Sequence, residues 1–366
     1  MKLIAQVRLN PTPEQANYLL QTLEAANALC NTISVFAWDK KVFGAFGLHK
    51  ALYHQLRGDT GITAQVVVRM FAKVSDAYKL DKKRKRTFQP HGAIAYDIRI
   101  LRYYTEKQAV SIWSVAGRLH IPYSAGERQK ELLQYQQGES DLVYSKTTKE
   151  FFLLATCDIP DPDQRQTDEA LGIDMGVTNI AVSSDGDVFS SETIEYTRKR
   201  YAKLRKALQS CGSKSAKRHL KKMGSRQQRF QKDTNHVISK RLVIQAKDTN
   251  RSIKVEDLTH IGARTTVRGA DNRAKHKNWA FAQLQYFLAY KARMHGVKLE
   301  SVDPRYTSQR CFECGHVEKA NRKTQDTFLC CRCGHSAHAD VNAAKNIAFW
   351  ATVKTPIVAS RPEKSG

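Results

Sequence analysis

The stretch LGIDMGVTNIAVSSDGDVF, residues Leu171–Phe189, predicts a β-strand that delivers a carboxylate, turns sharply and returns as a second strand. Because strand side chains alternate, Asp174 shares one face of the first strand with Gly172 and Gly176. Glycine inside a strand often marks a place where a ligand or another backbone comes close. Asp174 is therefore a candidate catalytic residue, and the structural alternative is an acid that accepts hydrogen bonds within a turn.

The same stretch carries a hairpin signal. Asp185-Gly186 stands between two short strand-like runs, Ile180–Ser183 and Val188–Phe189. Asp-Gly is a favoured pair for a tight β-turn, because its residues tolerate positive φ. We therefore expect the returning strand to continue into a β-hairpin.

Two more strands and a helix follow. RSIKVEDL at Arg251–Leu258 and GVKLESVDP at Gly296–Pro304 have strand-like composition, and an amphipathic helical run precedes the second. The order hairpin, strand, helix and strand predicts an α/β core with a mixed sheet. We assign this core to residues 168–304 and 338–351.

The N-terminal half predicts two kinds of structure. Strand-like runs rich in β-branched and aromatic residues predict an antiparallel β-barrel of residues 1–10 and 88–160. Residues 11–87 between them predict a helical module, with Thr12 as the N-cap of its first helix. The module ends in the basic run Lys82–Arg86, which is either a solvated linker or a phosphate contact.

The charge of the chain favours a polyanionic partner. The 366 residues include 60 Lys and Arg against 35 Asp and Glu, a formal net charge of +25. Such a surplus favours nucleic acid, because bound phosphates release counterions; an anionic membrane surface is the alternative. No apolar run reaches the roughly 20 residues that span a bilayer, and MKLIAQVRLNPT has no signal-peptide pattern. We therefore expect a soluble, intracellular protein.

Residues 191–250 predict long polar helices rich in Lys and Arg, which Gly212 and Gly224 are expected to interrupt. A solvent-exposed helix normally mixes both signs of charge, whereas acids are few here. We favour contact with a nucleic-acid backbone over a merely solvated face. The predicted contact residues are Arg198, Lys199, Arg200, Lys203, Arg205, Lys206, Lys217, Arg218, Lys221 and Lys222.

Two near copies of the pattern C-x-x-C-G-H, at Cys311–His316 and Cys330–His335, are the most specific signal in the chain. Fifteen residues separate the two cysteine pairs, a spacing typical of a zinc ribbon. The glycine after each pair suits a left-handed turn. We assign the ribbon to residues 305–337. One structural Zn²⁺ is predicted, with ligands Cys311, Cys314, Cys330 and Cys333.

The other cysteines and the histidines of the two C-x-x-C-G-H copies are predicted to lie outside the four-thiolate site, with His316 and His335 beside it or in solvent. Cys331 is out of register, and four thiolates already complete the tetrahedron without His316 or His335. Eight cysteines could form disulfides in a small secreted domain, but paired knuckles in a large reduced protein indicate a metal. The remaining cysteines lack partner spacing and are predicted to be inert thiols: Cys30, Cys157 and Cys211.

Further carboxylates stand at the ends of predicted elements. Glu256 and Asp257 end the strand SIKVEDL, and Asp340 begins a helix, where its structural alternative is an N-cap. The functional interpretation is that acids from two strand ends and a helix start converge on two divalent cations. Such a pair activates water and stabilises the leaving oxygen of a phosphodiester. Carboxylate oxygens suit hard Mg²⁺.

A set of motifs in one order resembles the RuvC-like nuclease of the TnpB family, the OrfB-type, transposon-encoded RNA-guided DNA endonucleases related to type V CRISPR effectors. The resemblance covers essentially Leu171 to Trp350. Besides the two CxxCG pairs, the motifs are GIDMGVTNIAV (Gly172–Val182), VEDL (Val255–Leu258), WAFAQLQYFLAYKA (Trp279–Ala292) and HADVNAAKNIA (His338–Ala348).

The resemblance implies an RNase H-like (RuvC) α/β nuclease core with an inserted zinc ribbon. Its catalytic triad would be Asp174, Glu256 and Asp340, holding two Mg²⁺, with Glu256 rather than Asp257 as the ligand. The two glycines beside Asp174 would leave room for the metals and the scissile strand. The N-terminal barrel would be a wedge, interrupted by a helical recognition module, and residues 352–366 would be a flexible tail.

The implied partners are a guide RNA from the transposon end and a double-stranded DNA target beside a short adjacent motif, with base pairing reading the target. We therefore predict a Mg²⁺-dependent, RNA-guided DNA endonuclease of the prokaryotic cytoplasm, nucleoid-associated when bound to DNA. One alternative is a non-cleaving, RNA-guided DNA-binding regulator. Another is a DNA transposase that joins strands directly.

Overall fold

The computed structural model describes residues 1–59, 62–258, 269, 281–350 and 352–354. The chain divides into two compact units, Met1–Pro160 and Asp161–Gly366, and each has its own hydrophobic core. Over the described ranges, no helix combines the length and the hydropathy needed to cross a membrane.

The first unit contains seven strands that form one antiparallel sheet. They are β1 (Lys2–Leu9), β2 (Ile94–Tyr96), β3 (Leu101–Tyr104), β4 (Ala109–Ser114), β5 (Gly117–Ser124), β6 (Gln136–Ser145) and β7 (Glu150–Asp158). Their order across the sheet is β2-β6-β7-β1-β5-β4-β3.

This sheet curls into a nearly closed barrel, because side chains from its two ends meet. The Tyr96 hydroxyl on β2 donates to the carbonyl of Trp113 on β4 at 3.0 Å. The Tyr103 hydroxyl on β3 donates to the Ser140 hydroxyl on β6 at 3.1 Å. The sequence prediction of an antiparallel barrel joined by the first strand is confirmed.

Three helices are inserted between β1 and β2, as predicted, and a short fourth lies between β5 and β6: α1 (Pro13–Lys40), α2 (Ala45–Asp59), α3 (Ala64–Leu80) and α4 (Glu127–Leu133). The predicted N-cap at Thr12 is confirmed. Its side chain accepts from the Gln15 amide at 3.2 Å, and the Gln15 side chain accepts from the Thr12 amide at 3.1 Å. This reciprocal capping box satisfies two amides that the helix leaves without partners.

The second unit contains a six-stranded mixed sheet. Its strands are β8 (Ala170–Asp174), β9 (Asn179–Ser183), β10 (Val188–Ser190), β11 (Ser252–Glu256), β12 (Leu299–Val302) and β15 (Thr352–Lys354). The order is β10-β9-β8-β11-β12-β15, in which β8, β11 and β12 are parallel. A separate two-stranded ribbon pairs β13 (Thr327–Leu329) with β14 (Ser336–His338).

The predicted hairpin is confirmed. β9 and β10 pair antiparallel, and Gly186 in the turn has φ +94°, a conformation that strains residues with a Cβ. At the other edge of the sheet, Thr352–Lys354 pair with β12, although the predicted flexible tail began at residue 352. Residues 355–366 lie outside the described residues.

Four α-helices and a 3-10 helix at Lys319–Asn321 complete the described part of this unit; the α-helices are α5 (Glu192–Cys211), α6 (Lys214–Asp248), α7 (Phe281–Met294) and α8 (Ala339–Phe349). The predicted break at Gly212 is confirmed, since this residue ends α5 with φ +61°. The predicted break at Gly224 is wrong, because α6 runs through it. A helical glycine costs only about 1 kcal/mol, and α6 is held nearby by the buried Met223. Trp279 and Ala280, in the predicted α7 motif, lie outside the described residues.

Candidate functional site

Two neighbouring parallel strands end in carboxylates. Ile173 on β8 lies opposite Val255 on β11 in the register, so Asp174 and Glu256 follow at the same edge of the sheet. The carboxyl edge of parallel strands is where open α/β sheets place their ligand sites. Hydrophobic residues fix this position, because Leu171, Ile173 and Val255 are fully buried in the core beneath it.

Helix α8 brings Asp340 to the same edge. Asp340, Ala344 and Ala348 are spaced four residues apart, so they share one face of the helix. A Cβ at Gly172 would lie 2.0 Å from the Ala344 carbonyl oxygen and 2.5 Å from the Ala348 amide nitrogen. Gly172 is therefore needed for the close approach of the helix backbone. The expectation that this glycine leaves room for metals is wrong, since the α8 backbone occupies that space.

Gly176 serves a turn that places a partner on Asp340. Its amide donates to the Asn179 carbonyl at 2.9 Å, which closes the turn between β8 and β9. The Asn179 side-chain amide then donates to Asp340 Oδ2 at 2.9 Å. Both side chains are buried. This contact joins residues 161 positions apart in the chain, and the sequence pattern did not reveal it.

The ribbon segment supplies two further contacts. Arg322 donates to Asp340 Oδ1 at 2.9 Å, and the Thr307 hydroxyl donates to Glu256 Oε1. The Asn346 amide on α8 donates to the carbonyls of Thr307 and Arg310 at 3.0 and 2.7 Å, so α8 holds the segment that leads to the first knuckle. Glu256 at the end of β11 and Asp340 at the start of α8 are thus each oriented by a hydrogen bond.

Negative charge is concentrated at this edge. Burial raises the pKa of Asp174 to about 8, with Glu256 and Asp340 contributing in the same direction and Arg322 opposing them. Burial also raises the pKa of Glu256, against the Thr307 hydrogen bond and the Arg322 charge, while Asp303 raises it further. The three predicted acids therefore interact electrostatically in the folded chain.

Asp303 was missed by the sequence interpretation, although it follows β12 and so belongs to the same carboxyl edge. Its strand neighbour Glu256 lies opposite Val302 in the register. The signal was present in the run VDP at a strand end, but it becomes informative only when the strand order is known. Asp257, the alternative to Glu256, contributes its backbone amide to the Val302 carbonyl at 2.9 Å.

The donor set at this edge fits a hard divalent cation. Carboxylate oxygens suit Mg²⁺, and a cation would offset the burial and the repulsion that together raise the pKa of Asp174. Asp174, Glu256 and Asp340 are not among the described clusters of three or more potential ligands that lie within 4.8 Å of one another. Both oxygens of Asp340 accept hydrogen bonds, from Asn179 and Arg322.

The four predicted zinc ligands meet in one cluster. All four sulfur atoms lie within 4.8 Å of one another, with Cys311–Cys333 and Cys314–Cys330 separations of 3.7 and 3.6 Å. A tetrahedral site with Zn–S bonds of about 2.3 Å has sulfur–sulfur edges of about 3.8 Å. The cysteine cluster therefore fits zinc in both chemistry and size.

The two knuckles have the same backbone. The Cys311 amide donates to the His316 carbonyl at 2.8 Å, and the Cys330 amide to the His335 carbonyl at 2.9 Å. Gly315 and Gly334 have φ +74° and +73°, the left-handed conformation predicted for both. Phe328 is fully buried against Cys311 and Cys330, so the ribbon has a small core of its own.

The basic helices leave most of the predicted contact residues open to solvent. Nine of the ten are exposed, and α5 buries no residue. Arg198 is the exception, since its guanidinium forms two hydrogen bonds to Glu195, at 2.8 and 2.7 Å. Arg205 donates to Gln227 on α6 at 3.1 Å, which helps to hold the helix pair together. Arg198 is thus a weaker candidate for phosphate contact than its neighbours.

Comparisons with known proteins show what the chain is similar to. The OrfB_IS605 family model, described as a probable transposase, matches residues 143–265, and the Cas12f1-like TNB domain model matches residues 281–347. A TnpB-like protein of Methanocaldococcus jannaschii is 32% identical over 186 residues, which cover 48% of this chain and 66% of that protein. The chain is thus similar to TnpB-like proteins and to Cas12f proteins.

Two further matches are to Cas12f1 proteins. The CRISPR-associated endodeoxyribonuclease Cas12f1 of Sulfoacidibacillus thermotolerans is 31% identical over 235 residues, 59% of this chain and 54% of that protein. A solved Cas12f1–sgRNA–target DNA complex matches with a TM-score of 0.61 at 16% identity, over 92% of this chain and 83% of that one. The structural match shows a shared fold. The chain covers less than two thirds of the length of either curated relative.

Proposed function

We propose that this protein is an RNA-guided DNA endonuclease in which Asp174, Glu256 and Asp340 form a Mg²⁺-dependent active site. The observation that carries the proposal is the meeting of these three acids at one edge of the second sheet, with Arg322 and Thr307 bound to two of them. In this proposal the second unit is a RuvC-like, RNase H-like core with the zinc ribbon inserted before α8. The first unit is a wedge barrel with a recognition module.

The chain's own residues would orient the reacting groups. Asn179 and Arg322 fix the Asp340 carboxylate, and Thr307 fixes Glu256, so little reorganisation is needed when a phosphodiester arrives. Asp174 interacts electrostatically with both Glu256 and Asp340 and would offer its oxygens once deprotonated. Two bound Mg²⁺ ions would activate water and stabilise the leaving oxygen during phosphodiester hydrolysis.

The proposed partners follow from the relatives and from charge. One relative is named an endodeoxyribonuclease, and the matched solved structure contains guide RNA and target DNA. The exposed lysines and arginines of α5 and α6 would contact nucleic-acid backbone, which a net charge of +25 favours. We propose a guide RNA derived from the transposon end, a DNA target beside a short adjacent motif, and action in the cytoplasm at the nucleoid.

Reprogramming the guide tests the class of activity. The protein is purified with its co-expressed RNA, the RNA is sequenced, and its variable segment is replaced by a chosen sequence. We expect Mg²⁺-dependent cutting of DNA that matches the new segment and none of a scrambled control. Random cellular RNA, or cutting that ignores the guide, would contradict the proposal.

Two other outcomes would identify the alternative functions. Guide-dependent binding without cutting by the unmutated protein would indicate an RNA-guided regulator. The OrfB_IS605 family description favours a transposase as the second candidate, and strand-transfer products joined to target DNA would indicate it. Hydrolysis yields free ends instead, so product analysis on a denaturing gel separates the two.

A further inference from the structure

We propose that His316, Glu318 and Cys331 form a second metal site on the ribbon, distinct from the four-cysteine cluster, for a borderline divalent cation such as Zn²⁺. Their potential ligand atoms all lie within 4.8 Å of one another. Glu318 Oε2 lies 3.0 Å from His316 Nε2 and 2.8 Å from Cys331 Sγ. Imidazole, carboxylate and thiolate are the three ligand types that zinc sites in proteins use.

A buried asparagine positions the ligand-bearing segments. Asn321 is fully buried, and its Oδ1 accepts the backbone amide of Cys331 at 3.0 Å and lies 3.0 Å from the Cys331 sulfur. Its Nδ2 donates to the His316 carbonyl at 3.2 Å and to the Gln309 carbonyl at 2.9 Å. One side chain therefore ties the first knuckle to the second. The backbone of two of the three ligand residues, His316 and Cys331, is therefore held by a buried side chain.

The site departs from the internal repeat of the ribbon. Aligning the two C-x-x-C-G-H copies places Cys331 opposite Phe312, and Glu318 opposite Ala337. The second histidine, His335, therefore lacks the matching cysteine and glutamate at the equivalent positions. Cys331 and Glu318 are therefore not part of the repeated pattern. Both lie close to His316 and not to His335.

The geometry indicates an open coordination site of lower affinity than the cysteine cluster. Three protein ligands leave a fourth position to water, as in zinc sites with an accessible face. Glu318 and Cys331 are exposed and His316 is half-buried, so the ion exchanges with solvent. In the metal-free chain the Cys331 thiol donates to Glu318, and the metal displaces that proton.

Zinc stoichiometry tests the proposal. Untagged full-length protein is dialysed against buffers of fixed free Zn²⁺, and bound zinc per chain is measured by mass spectrometry of the element. We expect occupancy to rise from one to two as free Zn²⁺ increases. Cys331→Ser and His316→Ala should stay at one over that range, since each variant leaves only two of the three protein ligands. The zinc that remains reports an intact ribbon.

Matched variants control for general effects. Cys211→Ser removes another exposed cysteine, and His335→Ala removes the histidine of the other knuckle; both should still reach two. A wild-type protein that saturates at one, or a His316→Ala variant that reaches two, would overturn the proposal. If Cys331→Ser lost both ions, His316→Ala would decide, because it leaves every cysteine in place.

Discussion

Arg322 donates a 2.9 Å hydrogen bond to Oδ1 of Asp340, so a residue of the zinc ribbon segment binds the carboxylate that begins α8. Asp340 is only 3% exposed, and its other oxygen accepts from Asn179. The charge of Arg322 also lowers the pKa of both Asp174 and Glu256. The ribbon and the candidate active site are therefore linked by one ion pair.

Replacing Arg322 should shift the pH dependence of cleavage. In Arg322→Ala, the pKa values of Asp174 and Glu256 rise because the opposing positive charge is gone. The rising limb of the pH–rate profile should move to higher pH, and cleavage near pH 7 should fall by about 10- to 100-fold. Arg322→Lys keeps the charge and should shift the profile less. Identical profiles for wild type and Arg322→Ala would show that the ion pair has no role.

Metal-free protein should lose stability as the pH rises towards 8, through Asp174. Burial raises the folded-state pKa of this acid from 3.8 to about 8, so folding favours its protonated form. Between these values the unfolded chain releases the proton more readily, and rising pH favours unfolding. As the pH rises in the presence of EDTA, the melting temperature of Asp174→Asn should fall less than that of the wild-type protein. Equal falls in melting temperature for the two proteins would contradict the raised pKa of Asp174.

The same linkage predicts how Mg²⁺ stabilises the fold. Because the cation competes with a proton at Asp174, its stabilising effect should be larger near pH 8 than near pH 6. The measurement is the difference in melting temperature with and without Mg²⁺ at each pH. For Asp174→Asn, the melting temperature should change little on addition of Mg²⁺ at either pH. A Mg²⁺ effect independent of pH in wild type would place the cation elsewhere.

Gly172→Ala should disrupt the contact between β8 and α8. Its Cβ would lie 2.0 Å from the Ala344 carbonyl oxygen, a backbone atom that cannot rotate away. We expect a loss of about 1–3 kcal/mol or more in the free energy of unfolding. Gly224→Ala is the matched control, because a Cβ there meets nothing within 4 Å and should stabilise α6 by about 1 kcal/mol. Denaturant titration measures the free energy of unfolding of both variants and of the wild-type protein. A Gly172→Ala variant as stable as wild type would contradict the tight contact between β8 and α8.

Local signals in the sequence predicted much of the fold. The alternation around Asp174, the Asp185-Gly186 turn, the Thr12 cap and the cysteine knuckles each depend on residues within a few positions of one another. Such patterns are set by backbone geometry that the neighbouring residues determine. The strand ends that carry Asp174 and Glu256 were predictable for this reason.

Contacts between distant segments were not predictable in the same way. Asn179, Thr307 and Arg322 reach the acids only after the sheet, α8 and the ribbon have packed, and no spacing rule connects them in the chain. Gly172 shows the same limit, since the sequence indicated a close approach but not that a helix backbone makes it. At Gly224, packing of α6 outweighs the local tendency of glycine to end a helix.

Asp174, Glu256 and Asp340 are the three acids proposed to form the active site. The most direct measurement is the rate of Mg²⁺-dependent cutting of guide-matched DNA by purified RNA complexes of wild type, Asp174→Asn, Asp340→Asn and the neighbouring-acid control Asp257→Asn. We predict a loss of more than about 100-fold for the first two variants, with DNA binding retained, and near wild-type cutting for the control. Cutting by Asp174→Asn at the wild-type rate would contradict the assignment.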